Sequence, residues 1–483
     1  MALKPGLLKP RSLGGPQVEL PRSVPYIAAG AMFMENLDST IIVTALPAMA
    51  SEFGVSATSA SLGISGYLLA VAIFIPLSAW FADRFGTRKV LCLAILTFTV
   101  ASLLCGLSSN LWSLVGMRFL QGASAALMTP VARLVVVRHT SKAGLMRAIA
   151  IITWPALIAP VLGPPLGGVI TTYASWHWIF FINLPIGVLG VGMVMRYVPQ
   201  HVSPERRAFD LAGFLLTAFA LVGVIGGLDL ISGGRSHWFY GGILLACGLC
   251  LGWFAIRHAR KVAHPIFSLV SLQTPSFVVT SLSGGMFSRI AISAAPFLLP
   301  LLFQMVLGYS ALESGLVLLA YFVGNIGMKL FTTRTIQTFG FKRVLLFNGV
   351  ALAASVLACA ALTPDSPVPA VAAVLLAGGM CRSLQMTALN SLAFADVPAS
   401  QISAANTLSS LVQQIAITLG VAIGAFFLNV SLLWRSGANL TLQDFQVAFV
   451  AVGVVALFAI FANWGLPGAA GRTVSGHPAP RKT

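Results

Sequence analysis

Apolar runs of about 20 residues recur from end to end of this 483-residue chain, and that repetition limits the fold more than any single residue does. A helix rises roughly 1.5 Å per residue, so about 20 apolar residues cover the roughly 30 Å hydrocarbon core of a bilayer. Hydrophobic residues make up 57% of the chain and charged residues 8%, against roughly 25% charged in soluble domains. Membrane-spanning strands would show short alternating segments instead. The fold class expected is therefore an all-α integral membrane protein with about fourteen transmembrane helices, the first over 25–49 and the last over 443–465.

The net charge of +17 raises the question of a nucleic-acid partner, and its distribution answers it. Arg235 and Arg435 fall in one set of loops, and five basic residues lie inside apolar spans. The remaining Lys and Arg share the opposite loops and the two tails. Such asymmetry orients a membrane protein with its basic loops and both termini in the cytoplasm. The partners expected are the bilayer, protons and a small-molecule substrate, with no nucleic acid. Residues 1–24, basic and rich in Pro and Gly, read as a cytoplasmic tail without a signal peptide's apolar core.

The most polar internal linkers, near 197–208 and 257–275, bracket two spans. The organisation expected is a tail (1–24), a six-helix bundle (25–196), a linker with two additional spans (197–275), a second six-helix bundle (276–465) and a tail (466–483). An internal repeat supports it: "RFGTRKVL" (84–91) and "TFGFKRVL" (338–345) follow the second span of each bundle. Two similar bundles in one chain are a recurring plan for secondary transporters, which rock one half against the other.

Several stretches carry chemistry. "LDSTIIVTALP" (37–47) places Asp38 one turn from Glu35 on one helical face, in hydrocarbon where a carboxylate must be paired, hydrated or protonated. "AWFADRFGTRKV" (79–90) contains Asp83, Arg84, Gly86 and Arg88 in a loop; topogenic charge accounts for its basic residues, and a gating latch accounts also for Asp83 and Gly86. "LVGMRFLQGASAALMTPVARLVV" (114–136) buries Arg118, which cannot shed its proton and needs an anion or water; Asp38 or Glu35 is the obvious partner. "TWPALIAPVLGPPLGGVI" (153–170) sets Gly163, Pro164, Gly167 and Gly168 in one span, where prolines break hydrogen bonds and glycines admit close neighbours. In "SWHWIFFINLPIG" (175–187), Trp176 and Trp178 fit an interfacial belt and His177 an exposed loop.

Taken in order, these motifs resemble those of the major facilitator superfamily, in particular its fourteen-span drug:proton antiporters (the EmrB/QacA-like group) and, within it, the MdtD-like exporters. The chain departs from the pattern at Val43, Ala79, Phe81 and Ala159. The resemblance implies two pseudo-symmetric six-helix bundles plus two central spans, and proton-coupled export by alternating access. It also implies proton coupling through Asp38, Glu35 and Arg118, a gating loop at Asp83, Arg84, Gly86 and Arg88, and an exporter-type helix at 163–168. It further implies the bacterial inner membrane, a functional monomer with room for an accessory export partner, and a proton gradient in place of any cofactor.

The second bundle holds Arg289, Lys329 and Arg382 with no evident deep acid, and the first holds Arg133. These basic residues either bind backbone and water, or line a cavity that takes organic anions such as citrate-like carboxylates or their metal chelates. Gln304, Asn325 and Asn390 are further candidates for the cavity wall. Enzyme chemistry is disfavoured: the chain has no GxxxxGK phosphate loop and no large soluble domain. Cys247 and Cys250 form a CxxC within an apolar span, without the second pair or histidines that a metal site needs.

Overall fold

The computed structural model describes residues 23–140, 142–200, 208–232, 235–262, 265–398, 401–435, 437, 439–468 and 470–472. Most of both expected tails lies outside the described residues. Among the described residues every regular element is helical. In the first half these are α1 (Val24–Ile41), a 3-10 turn (Ile42–Ala45), α2 (Leu46–Phe53), α3 (Ala57–Ala60), α4 (Leu62–Phe74), α5 (Leu77–Phe85), α6 (Thr87–Gly106), α7 (Leu111–His139), α8 (Lys142–Tyr173), α9 (Trp178–Phe181) and α10 (Asn183–Tyr197). A hairpin of α11 (Leu211–Ser232) and α12 (Trp238–Ala259) follows. The second half comprises α13 (Pro275–Ser281), α14 (Gly284–Met305), α15 (Ala311–Phe339), α16 (Phe341–Ala360), α17 (Val368–Ala395), α18 (Ile402–Trp434) and α19 (Leu442–Trp464).

Among the described residues thirteen helical segments are long and apolar enough to cross a membrane. The segment from Val24 to Phe53 is not one of them, because Glu35, Asn36, Asp38, Ser39 and Thr40 lower its hydropathy. It packs instead against α7, α8 and α10 in the protein interior, where those polar groups find partners. With it included, the spanning segments agree with the expected count.

Local chemistry sets the helix ends. Asn110 caps α7 by accepting the Ser113 N–H at 2.9 Å. Ser310 and Glu313 form a capping box on α15, and Thr441 and Asp444 form one on α19. The repeated loop adopts the same turn in both halves: Gly86 stands at φ 88° and Gly340 at φ 76°, a region that favours glycine. A second pair, Gly54 and Gly308 at φ 64° and 76°, ends the first spanning segment of each half at the same relative spacing.

Within the first half α4 and α6 flank α7, and α1 lies along α8. In the second half α15 lies along α17, while α18 and α19 flank α14. The halves meet through α8 against α15 and α4 against α18. The extra hairpin closes on itself through glycines, since a Cβ on Gly223 would stand 2.6 Å from the Gly248 Cα. Its α11 touches both α4 and α18, so it spans the seam between the halves.

The hairpin is tied down at its base. Asp210 accepts hydrogen bonds from the Gly213 N–H (2.9 Å), the His258 Nε2 (2.8 Å) and the Ile266 N–H (3.2 Å). Burial alone would raise the Asp210 pKa, but these donors outweigh it and hold the carboxyl below its ordinary value. Asp210→Ala, made in a His258→Gln background to remove the imidazole's own titration, is expected to cost about 1 kcal/mol at neutral pH. Because the folded pKa is depressed, that cost is fully present above the ordinary carboxylate pKa of about 4 and fades as pH falls through the lower folded value. Thermal melting in detergent across this range checks it: a constant gap above about pH 5, closing at the acid end.

Candidate functional site

Asp38 sits in α1 at 1% exposure, and Arg118 in α7 at 0%. Their helices bring them together: Arg118 Nη1 donates to Asp38 Oδ2 at 2.6 Å. Two amides complete the carboxylate's shell, with Gln121 Nε2 and Asn183 Nδ2 each donating to Oδ1 at 2.8 Å. Arg118 also donates to Gln121 Oε1 (2.8 Å) and to the Gly63 carbonyl (3.4 Å), and its guanidinium lies 4.4 Å from the Tyr67 ring centroid. Ser102 of α6 accepts from Gln121 and Asn183 and donates to the Phe180 carbonyl at 2.9 Å. One ion pair thus joins α1, α4, α6, α7 and α10.

Sequence reasoning finds Asp38 and Arg118 but passes over Gln121, Asn183, Ser102 and Tyr67. A signal was available. "RFLQ" (118–121) has a counterpart in "RSLQ" (382–385), and the second glutamine holds the equivalent node. Gln385, fully buried, donates to Ser288 Oγ of α14 at 3.2 Å and accepts from Asn348 Nδ2 of α16 at 2.9 Å. Arg382 likewise stands over a tyrosine, 5.7 Å from the Tyr321 centroid. The second node contains no acid: among the described residues no carboxylate forms an ion pair with Arg382.

A cavity of about 280 Å³ lies between the halves. Glu35, Asn36 and Tyr67 face it from the first half, and Ser293, Arg382 and Gln414 from the second. Arg118 forms part of its wall, so the ion pair borders the space it encloses. Glu35 does not join Asp38 on Arg118; its Oε2 accepts a hydrogen bond from Thr129 Oγ1 of α7.

The other candidates are placed elsewhere. Arg289, expected in the cavity, is 1% exposed and turns to the Thr280 carbonyl (2.8 Å) and to Asn390 Oδ1 (3.0 Å), which takes Asn390 out of the cavity with it. It holds α13, α14 and α17 together. Gln304 donates across the halves to the Thr44 carbonyl at 3.0 Å. Arg133 and Lys329 are exposed and Asn325 half-buried, and none of the three lines this cavity. Trp176, expected in an interfacial belt, is buried and donates from Nε1 to Glu52 at 2.6 Å, whereas Trp178 is exposed.

In the loop, Asp83 is half-buried and Arg84 exposed, and Arg88 donates to the Met195 carbonyl at the end of α10. Gly163 and Gly167 of α8 lie against Thr40 and Ile41 of α1 and Thr44 of the 3-10 turn. Gly168 faces α15, where a Cβ would stand 2.5 Å from the Ala311 carbonyl oxygen, and Gly315 faces the Pro164 carbonyl in return. Gly168 and Gly315 thus form one of the two meetings of the halves, at the end remote from the termini.

The fold and this interior site define a membrane transporter. The sequence model of the Major Facilitator Superfamily matches residues 28–256 and 281–481. The chain is 36% identical over 445 residues to a Haemophilus influenzae protein named transport protein HsrA, covering 92% of this chain and 95% of that one. It is 37% identical over 405 residues to a Salmonella typhimurium protein named multidrug resistance protein MdtD, covering 84% and 86%. Among solved structures it resembles a D-xylose–proton symporter (TM-score 0.65, 15% identity, 93% and 98% covered) and an inward-facing bacterial homologue of the lysosomal transporter Spinster (0.62, 15%, 95% and 98%). The chain belongs to the major facilitator superfamily, and it is a multi-pass membrane transporter, not an enzyme.

Removing one partner of a buried ion pair strands the other. Arg118→Met is expected to destabilise the protein by about 3–5 kcal/mol, and adding Asp38→Leu to recover most of that loss. Melting curves of the two single variants, the double variant and the parent in detergent measure this coupling.

Proposed function

We propose that this chain exports small organic molecules in exchange for protons, by alternating access between residues 25–196 and 276–465. The observation that carries the reading is the buried Asp38–Arg118 pair, whose arginine lines the cavity between the halves. A proton on Asp38 abolishes the ion pair, while Arg118 keeps Gln121, the Gly63 carbonyl and the Tyr67 face. The hold of α7 on α1 is then weakened to the Thr129–Glu35 hydrogen bond and packing. The same stretch of chain meets the opposite half two turns on, where the Thr44 carbonyl accepts from Gln304. Protonation at Asp38 and opening of the seam therefore act on one segment.

Closure at the seam, with the cavity below it, corresponds to a conformer facing the side that carries the termini. The basic loops support a cytoplasmic position for that side, and the relatives' bacterial sources point to the inner membrane. An exporting direction accounts for the multidrug resistance in the name of the MdtD relative. The protein acts as a monomer with the proton gradient as its energy source and no cofactor; an accessory export partner is compatible with this scheme. The organic-anion alternative rests on Arg382, since Arg289 turns away from the cavity to Thr280 and Asn390.

Everted vesicles with an acid interior test the reading, using ethidium, citrate and tryptophan as a cationic, an anionic and a zwitterionic probe. Wild-type protein is expected to accumulate at least one of them and to lose that on addition of a protonophore. Asp38→Asn should lower the accumulation at least tenfold while remaining inserted and monodisperse. Accumulation by Asp38→Asn at the wild-type rate, or wild-type accumulation indifferent to the protonophore, would sink the proposal.

A further inference from the structure

Apart from Arg118, the lining of the central cavity carries one acid and one base, each from a different half of the protein. Glu35 of α1 and Arg382 of α17 line the same space. The third charge in its wall, Arg118, is already neutralised by Asp38 at 2.6 Å. Among the described residues Glu35 accepts from the Thr129 hydroxyl on one of its two oxygens. Arg382 lies against the Tyr321 ring, with no carboxylate in ion-pair range among the described residues. Between them run apolar surfaces from Phe297, Phe322 and Val421.

Two charges of opposite sign on opposite walls reject a ligand that carries only one. A lone cation drawn to Glu35 faces the unpaired guanidinium, and a lone anion drawn to Arg382 faces the carboxylate. A ligand with an ammonium and a carboxylate on one apolar body satisfies both, and in a low-dielectric cavity that complementarity governs specificity. The volume of about 280 Å³ lies just under the roughly 300–1,000 Å³ of drug-sized pockets, which favours a compact molecule. We propose that the cavity between Glu35 and Arg382 is a site for small amphipathic zwitterions, with the ammonium at Glu35 and the carboxylate at Arg382.

This rests on the exchange reading above and supplies its logic at the substrate. A proton and an ammonium compete for the Glu35 carboxylate, so loading from one side and protonation from the other exclude each other. The charged and titratable groups around Glu35 are Asp38 on its own helix, Arg133 and Arg118 on α7, and Tyr67 on α4. Neither α8 between 151 and 170 nor α10 between 183 and 195 carries a titratable side chain. The competition is therefore decided by these groups, the ligand and Arg382.

Equilibrium binding to the purified full-length protein in detergent tests the site without any gradient. The probes are tryptophan, tryptamine and indole-3-propionate, which share one ring system and differ in charge. Tryptophan is expected to bind at least tenfold tighter than either analogue. Arg382→Gln should bring tryptophan down to the level of tryptamine while leaving tryptamine no weaker. Glu35→Gln should bring tryptophan down to the level of indole-3-propionate and tighten the latter. A merely structural defect cannot move two probes in opposite directions. Equal binding of a singly charged analogue, no binding of any probe, or a uniform loss across all three in both variants overturns the proposal. Failure of proton coupling is read separately, as probe accumulation in wild-type vesicles that a protonophore does not alter.

Discussion

The buried contact between Asp38 and Arg118 is the constraint around which the first half is arranged. An arginine without solvent cannot lose its proton, so its charge must be answered within the protein. The answer draws a carboxylate from α1, amides from α7 and α10, a hydroxyl from α6 and a carbonyl and ring from α4. Each of those helices is fixed at the level of the node because a polar atom left unpaired there would cost more than the contact gains. The same feature makes the node changeable. Its strength depends on a carboxylate that one proton neutralises.

The second half repeats this construction without its acid. Gln385 ties α14, α16 and α17 through Ser288 and Asn348, as Gln121 ties α1, α6 and α7 through Asp38 and Ser102. Arg118 and Arg382 each stand over a tyrosine, but only Arg118 is neutralised. One half thus spends its arginine on its own architecture, and the other presents its arginine to the cavity. The asymmetry of charge lies on a scaffold that is otherwise similar in its turns, with glycines at equivalent places in the left-handed region.

Between the halves, small residues do the joining. Gly168 and Gly315 let α8 and α15 approach backbone to backbone, and within the first half Gly163 and Gly167 do the same for α8 and α1. Such contacts gain dispersion energy without interlocking large side chains, which suits surfaces that must part and re-form. The prolines of α8 remain within one continuous helix. The extra hairpin lies across the other meeting of the halves, where α11 touches α4 and α18.

Much of this was legible in the residues. Apolar run length set the spans, because hydrocarbon thickness is a fixed ruler. A lone arginine and a lone aspartate in apolar stretches announced each other, because neither is tolerable unpaired in a bilayer. The glycines of "RFGTRKVL" and "TFGFKRVL" marked equivalent turns, because φ near 80° favours that residue. What the sequence could not decide was where each remaining polar side chain points. Arg289 and Arg382 both follow Gly-Gly-Met, yet one is consumed by a carbonyl and an asparagine while the other reaches the cavity. Glu35 and Asp38 share a helical face, yet only Asp38 meets the arginine, and Glu35 goes to Thr129. Local periodicity specifies a face of a helix and the cost of leaving a charge there unpaired. Which neighbour supplies the partner depends on the crossing of helices far apart in the chain, and only the tertiary structure decides that.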